Sequence, residues 1–187
     1  NEHEIDARRS LPGSEVFAEW KSVVAERTNQ HLTADDDYFA QPIMMPTGPG
    51  TLGDFLDIRI LDIWIHDQDI RRALSLDGNH GGPCAEHTSD RLIRTLPIVV
   101  GKRAATPEGN SVAIRITGDV QRDVFITVVD GRAKIVEATP ATMVCEITMA
   151  STVFTALATG RKTDAETVWT SSGDAKLAQR LPSQLNL

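Results

Sequence analysis

Between Thr51 and Leu76 the chain reads TLGDFLDIRILDIWIHDQDIRRALSL, with no proline and no glycine after Gly53. A stretch this long without a breaker predicts one long α-helix, and the apolar residues recur at its period. Placed at about 100° per residue, Leu52, Leu56, Ile63, Ile70 and Leu74 form one apolar flank, and Ile58, Leu61 and Ile65 form another. Thr51 with Asp54 gives a capping-box-like start, and Asp77-Gly78 supplies a stop. Between the flanks runs a polar stripe, Arg59, Asp62, His66 and Asp69. The opposite face, with Asp57, Asp67, Gln68 and Arg71, reads as solvent-facing.

Charges along the middle of an otherwise apolar face cost desolvation energy unless they are paired. Two readings follow from the residues. In one, the stripe satisfies itself, Arg59 with Asp62 and His66 with Asp62 or Asp69, each one helical turn apart. In the other, Asp62 and His66 lie four apart as neighbouring ligands of a metal or catalytic centre inside a helix bundle.

Composition narrows the setting. The chain has 187 residues, 41% of them hydrophobic and 24% charged, as in a globular protein of one large or two small domains. A net charge of -7 argues against a nucleic-acid surface and gives no attraction to an anionic membrane. No apolar run approaches the ~20 residues of a spanning helix, and no secretory leader opens the chain, so a cytoplasmic location is expected. Cys84 and Cys145 are far apart and lack zinc-knuckle spacing, as idle thiols in a reducing compartment would be. The chain opens Asn1-Glu2-His3 without an initiator Met, as a processed chain or a fragment would.

Taken in order, residues 1–12 read as a polar lead-in, with Ser10 and Pro12 marking a helix start. Val16, Phe17, Trp20, Val23 and Val24 predict an amphipathic helix from about Gly13 to His31. Residues 32–50, with three prolines and two glycines, read as an irregular loop. Asp35, Asp36 and Asp37 within it read as a solvated acidic turn, since no EF-hand spacing follows. A third helical pattern covers about 84–103, broken or kinked at Pro97. His80 and His87, near its start, read as surface imidazoles.

The period then changes to two. Ser111–Thr117, Asp123–Val129, Arg132–Glu137 and Thr142–Thr148 read as strands, with Asp130-Gly131 as a hairpin turn. Ser151 is expected to cap a short helix ended by Gly160, Thr167–Thr170 reads as a fifth strand, and Gly173-Asp174 opens a last helix to about Leu181. The fold class expected is α+β, with helical residues 1–80 and an α+β region at 81–187. GxGxxG, P-loop, HExxH and GxSxG motifs are absent, and Gly118-Asp119 and Gly173-Asp174 lack the companions of a phosphate loop.

The runs RILDIWIHDQDIRRAL (59–74) and GGPCAEHTSDRLIRTLPIVVGKRA (81–104), the Asp-Gly hairpin and the tail TVWTSSGDAKLAQRL together resemble a known family. They are similar to the actinobacterial mycothiol-dependent maleylpyruvate isomerase-like proteins. That family joins a DinB-like metal-binding four-helix bundle to a C-terminal domain similar to sterol carrier protein. The resemblance implies a partial DinB-like bundle at residues 1–80 and, at 81–187, a sterol-carrier-like domain with a mainly antiparallel sheet and packed helices. It implies that His66 is a divalent-metal ligand, with zinc the expected ion. Asp62 stands where the founding enzyme type has a Glu, four residues before the His. The family's remaining His ligand comes from an earlier helix, and neither His3 nor His31 matches it. Arg59 and Asp69 are implied as outer partners of the site or contacts to cofactor or substrate.

Function follows from the resemblance in two forms. In the first, metal and a low-molecular-weight thiol of the mycothiol type serve an isomerase or transferase acting on a small electrophile. In the second, the site has degenerated and the chain binds a metal or an apolar ligand without catalysis. A small molecule is the expected partner, nucleic acid and membrane are not, and an incomplete bundle would expose an apolar face able to associate.

Overall fold

The computed structural model describes residues 2–46, 48–161 and 169–186. The chain forms two compact units, Asn1–Leu56 and Asp57–Leu187, and the boundary falls within one long helix.

The first unit opens with a short helix, α1 (Glu2–Arg8), where a polar lead-in was expected. Arg8 explains it. Its guanidinium donates to Glu4 Oε2 at 2.8 Å one turn back, and its Nε donates to Glu19 Oε2 at 2.8 Å on the next helix. That helix, α2 (Gly13–Thr33), covers the amphipathic stretch read from the sequence. None of its residues is buried, and Phe17 and Trp20 stack at 5.6 Å on its surface.

The described part of residues 32–50 is not irregular. Asp35 caps α3 (Asp36–Phe39) by accepting from Tyr38 N at 3.0 Å, and β1 (Pro42–Met45) pairs antiparallel with β2 (Gly48–Thr51). Proline is tolerated here because a two-stranded ribbon consists of edges, where a missing N–H breaks no central ladder. The capping box is reciprocal: Thr51 N donates to Asp54 Oδ2 at 2.9 Å, and Asp54 N donates to Thr51 Oγ1 at 3.1 Å. It starts α4 (Leu52–Ala73), which stops four residues before Asp77 because Ser75 takes a left-handed conformation (φ 53).

In the second unit, α5 (Pro83–Ile93) ends before Pro97, and a π-helical segment, Ile98–Arg103, follows the break. The sheet has five strands in the order β5-β4-β3-β6-β7: β3 (Ser111–Thr117), β4 (Arg122–Val129), β5 (Arg132–Val136), β6 (Cys145–Ala150) and β7 (Trp169–Gly173). Only the β3–β6 pairing is parallel, so the sheet is mainly antiparallel and the fold is α+β. Asp130 and Gly131 both have positive φ, as the hairpin sequence predicts. The fourth strand begins at Cys145 rather than Thr142. Of the expected fifth strand, Thr167 and Val168 lie outside the described residues.

Alternation sets the faces of the sheet. Val112, Ile114 and Ile116 stand beside Ile126, Val124, Ile147 and Met149 in the register, and all are buried in one core with Phe154 and Leu181. Helices α6 (Ser151–Ala158) and α7 (Ala175–Ser183) pack on this sheet. On the alternate positions Arg115 bridges Asp123 at 2.9 Å and Glu146 at 3.0 Å. Ser151 is the first residue of α6 rather than its cap: Ala150 holds that position and offers no side-chain acceptor. Asp174 does cap α7, accepting from Lys176 N at 2.8 Å and Leu177 N at 3.1 Å.

Candidate functional site

Within the second unit α4 buries Trp64 and Ile65, and its partners are not those expected from hydropathy. The face read as solvent-facing is tied down. Asp57 pairs with Arg91 and lies 2.9 Å from His87 Nε2; Asp67 accepts from Arg71 at 2.7 Å and Asn79 at 2.6 Å. Trp64 Nε1 and Gln68 Nε2 both donate to the Asn79 carbonyl, at 3.1 and 3.0 Å. His80 and His87 are therefore half-buried and engaged rather than free surface imidazoles. By contrast Ile63 and Ile70 of the first apolar flank are each 60% exposed, so the stripe is not enclosed by a buried face.

The stripe itself is a continuous ladder. Arg59 Nη1 donates to Asp62 Oδ2 at 2.5 Å. The other Asp62 oxygen lies 3.5 Å from His66 Nε2, and His66 Nδ1 lies 3.3 Å from Asp69 Oδ2. The imidazole is 63% exposed. Asp69 also accepts from Arg161, at 3.2 Å from Nε and 2.7 Å from Nη2, and from Arg72 at 3.3 Å. All four residues singled out from the sequence, Arg59, Asp62, His66 and Asp69, thus come together. Arg161, which closes the ladder, carries no local sequence signal because it lies 92 positions from Asp69. The neighbouring Gly160 marks the helix end that brings it there.

Two donors on one edge suit zinc in part. Tetrahedral ligands at about 2.0–2.1 Å from the ion stand roughly 3.3–3.4 Å apart. The 3.5 Å between Asp62 Oδ1 and His66 Nε2 fits that edge, and Asp69 at Nδ1 is the carboxylate that a ligating imidazole ordinarily uses for orientation. Among the described residues no three His, Cys, Asp or Glu side chains gather into a metal cluster. The residues present fit one edge of a site, with its outer support.

The Arg161 guanidinium holds the Asp69 carboxyl below its ordinary range, with burial opposing it and His66 and Arg72 adding smaller effects. A carboxyl depressed in the folded state stabilises the fold above its unfolded value, about 3.9, and that contribution disappears as pH falls through the lower folded value. Asp69→Asn should therefore cost on the order of 1 kcal/mol at pH 7, discounted for partial solvent screening. In metal-free thermal melts the gap between the two proteins should close between about pH 4 and the depressed folded value. A gap independent of pH would show that the pairing is not ionic.

Beside this ladder, between the second half of α4 and α6, lies a cavity of about 300 Å³. Its wall includes Trp64, Asp69, Arg72, His80, Thr155 and Arg161. Apart from Asp69, none of these was singled out from the sequence as a site residue.

Residues 1–71 match the family described as mycothiol maleylpyruvate isomerase N-terminal domain. No curated protein matches the chain. Similar solved structures include the ubiquinone synthesis protein UbiJ-SCP2, at 10% identity and a TM-score of 0.35, covering 52% of this chain and 89% of that one. Sterol carrier protein-2 like-3 from Aedes aegypti is similar at 14% identity and a TM-score of 0.36, covering 51% of this chain and 94% of that one. The MycE methyltransferase of the mycinamycin pathway is similar at 14% identity and a TM-score of 0.34, covering 52% of this chain and 32% of that one. Among the described residues no helix is long and apolar enough to cross a membrane. The stretch similar to the mycothiol maleylpyruvate isomerase N-terminal domain ends at Arg71, and so contains the whole of Arg59, Asp62, His66 and Asp69.

Proposed function

We propose that α4 supplies two donors, Asp62 and His66, to a divalent-metal centre in a thiol-dependent isomerase or transferase acting on a small electrophile. The facing of Asp62 Oδ1 and His66 Nε2, with Asp69 behind the ring, carries this reading. The match of residues 1–71 to the mycothiol maleylpyruvate isomerase N-terminal domain supports a mycothiol-type thiol as cosubstrate. Asp62 and His66 would hold the ion, which when bound would supply the charge that lowers a thiol's pKa toward the thiolate.

The protein's own part is positioning. Asp69 favours the imidazole tautomer protonated on Nδ1, which turns the Nε2 lone pair toward Asp62. Arg161 fixes Asp69 from the other side, and Arg59 holds the second Asp62 oxygen so that Oδ1 stays toward the ring. A further donor from outside the described residues is needed to complete the set.

Zinc titration of the chelator-treated full chain tests this. Saturable binding is expected, lost in His66→Ala and weakened at least about tenfold in Asp69→Asn. Normal metal occupancy in His66→Ala would overturn the ligand choice. A second reading is favoured by the completeness of the ladder: every charged member already has a protein partner, as in a degenerate site retained by a binding or regulatory protein. Protein that takes up no zinc, nickel or iron, and whose stability a chelator leaves unchanged, would decide for that second reading.

A further inference from the structure

The cavity between α4 and α6 reverses the charge of its surroundings. The chain carries a net -7, yet the charged groups on this wall are Arg71, Arg72 and Arg161 against one carboxylate, Asp69. Asp69 gathers two of these guanidiniums without consuming them. Arg161 spends Nε and one N–H of Nη2 on Asp69 and one N–H of Nη1 on the Thr159 carbonyl at 2.7 Å. Arg72 spends a single N–H on Asp69. Both residues line the cavity, and both keep N–H groups that have no acceptor among the described residues.

His80 lines the same cavity. His80 Nε2 lies 3.0 Å from Asp77, while its Nδ1 is buried without a partner among the described residues. Apart from Gln68 and three threonines, the rest of the wall is apolar: Trp64 is 4% exposed, and Leu76, Val153 and Ala156 stand with it. A volume of about 300 Å³ is at the lower end for small-molecule sites. Paired guanidiniums match the planar or tetrahedral oxygens of an anion in a way that a single ammonium does not.

We infer that this cavity binds the oxyanion, carboxylate or phosphate, of a small molecule with a short flat apolar body. Arg72 and Arg161 grip the charged group, Asp69 holds the two guanidiniums side by side, and Trp64 flanks the apolar part. The site does not rest on the metal reading, because neither Asp62 nor His66 lines the cavity.

Calorimetric titration of the full chain in EDTA with benzoate, phenyl phosphate and uncharged benzyl alcohol tests it. Benzoate or phenyl phosphate should bind saturably and benzyl alcohol should not; the tighter of the two anions identifies the head group. Arg72→Gln leaves the Arg161–Asp69 pair intact and should weaken the preferred anion by about tenfold, and Arg161→Gln by more. Lys134→Gln, on the exposed side of β5, should bind as the parent does. Thermal melts of each variant establish that it is folded. The inference is overturned if neither anion binds saturably, if benzyl alcohol binds as tightly as the anions, or if folded Arg72→Gln keeps the parent's affinity. Because EDTA is present throughout, loss of zinc binding elsewhere leaves this result untouched.

Discussion

Phe154→Ala is expected to lower the unfolding free energy of residues 57–187 by about 3–5 kcal/mol. Phe154 is fully buried, with 0% exposure, on the face of α6 turned to the sheet, in the same core as Ile114, Ile147 and Leu181. Deleting its ring removes the largest of the side chains buried there and leaves a void that strands held in register cannot close. Set against a total stability of roughly 5–15 kcal/mol, that loss brings the fold close to unfolding. The contrast is Phe17→Ala on α2, where the ring is 55% exposed and the expected change is within about 0.5 kcal/mol. Urea unfolding followed by the amide signals of β3 and β6 reads the second unit alone. A loss below about 1 kcal/mol for Phe154→Ala would mean the ring is not enclosed as described.

The strands were legible because alternation is a local property. In Ser111–Thr117 and Arg122–Val129 the β-branched apolar residues Val112, Ile114, Ile116, Val124, Ile126 and Val128 recur at every second position and all are buried, and Asp130-Gly131 accepts the positive φ that a tight hairpin demands. Segments held together by partners distant in sequence were harder to read. Helix α1 depends on Arg8 reaching Glu19, eleven positions away, and the β1–β2 ribbon on prolines that only an edge tolerates. On α4 the hydropathy pattern marks two apolar flanks but not which side has a partner. Asn79, in a loop beyond the helix, accepts from Trp64 and Gln68 and ties down the face that carries the fewest apolar residues.

The site divides along the same line. Arg59, Asp62, His66 and Asp69 were visible because three- and four-residue steps put them on one strip of one helix, and there they meet. The guanidinium that completes the strip arrives from the end of α6, and the cavity beside it joins α4, the loop after it and α6. No spacing rule links Asp69 to Arg161, so the sequence, which offered self-pairing or a metal centre for the stripe, did not reveal its anchor from α6. That anchoring matters for chemistry: a carboxylate fixed at two oxygens orients the imidazole beside it more firmly than a free one.

Gly173→Ala should be the most damaging of the glycine substitutions in the sheet, at about 2–4 kcal/mol, from left-handed strain together with a lost hydrogen bond. Gly173 ends β7 with φ 87, opposite Cys145, and passes the chain directly to the Asp174 cap of α7. A Cβ there would run into the Val144 carbonyl, with its carbon at 2.9 Å and Cys145 Cα at 3.2 Å. Both obstacles are backbone, so no side chain can rotate away. Relief requires β7 to move off β6, which breaks the 2.7 Å bond from Asp174 N to the Val144 carbonyl and disturbs the cap that starts α7. Gly109→Ala separates the two causes, since Gly109 also has positive φ (77) but nothing within 4 Å of the added carbon. It should lose only the conformational part, about 1–2 kcal/mol. Hydrogen exchange adds a spatial readout: in Gly173→Ala the amides of Lys176 and Leu177, which donate to Asp174, should lose protection, while those of β4 keep theirs. Equal losses in the two variants would show that the approach of β7 to Val144 is not what requires glycine at this position.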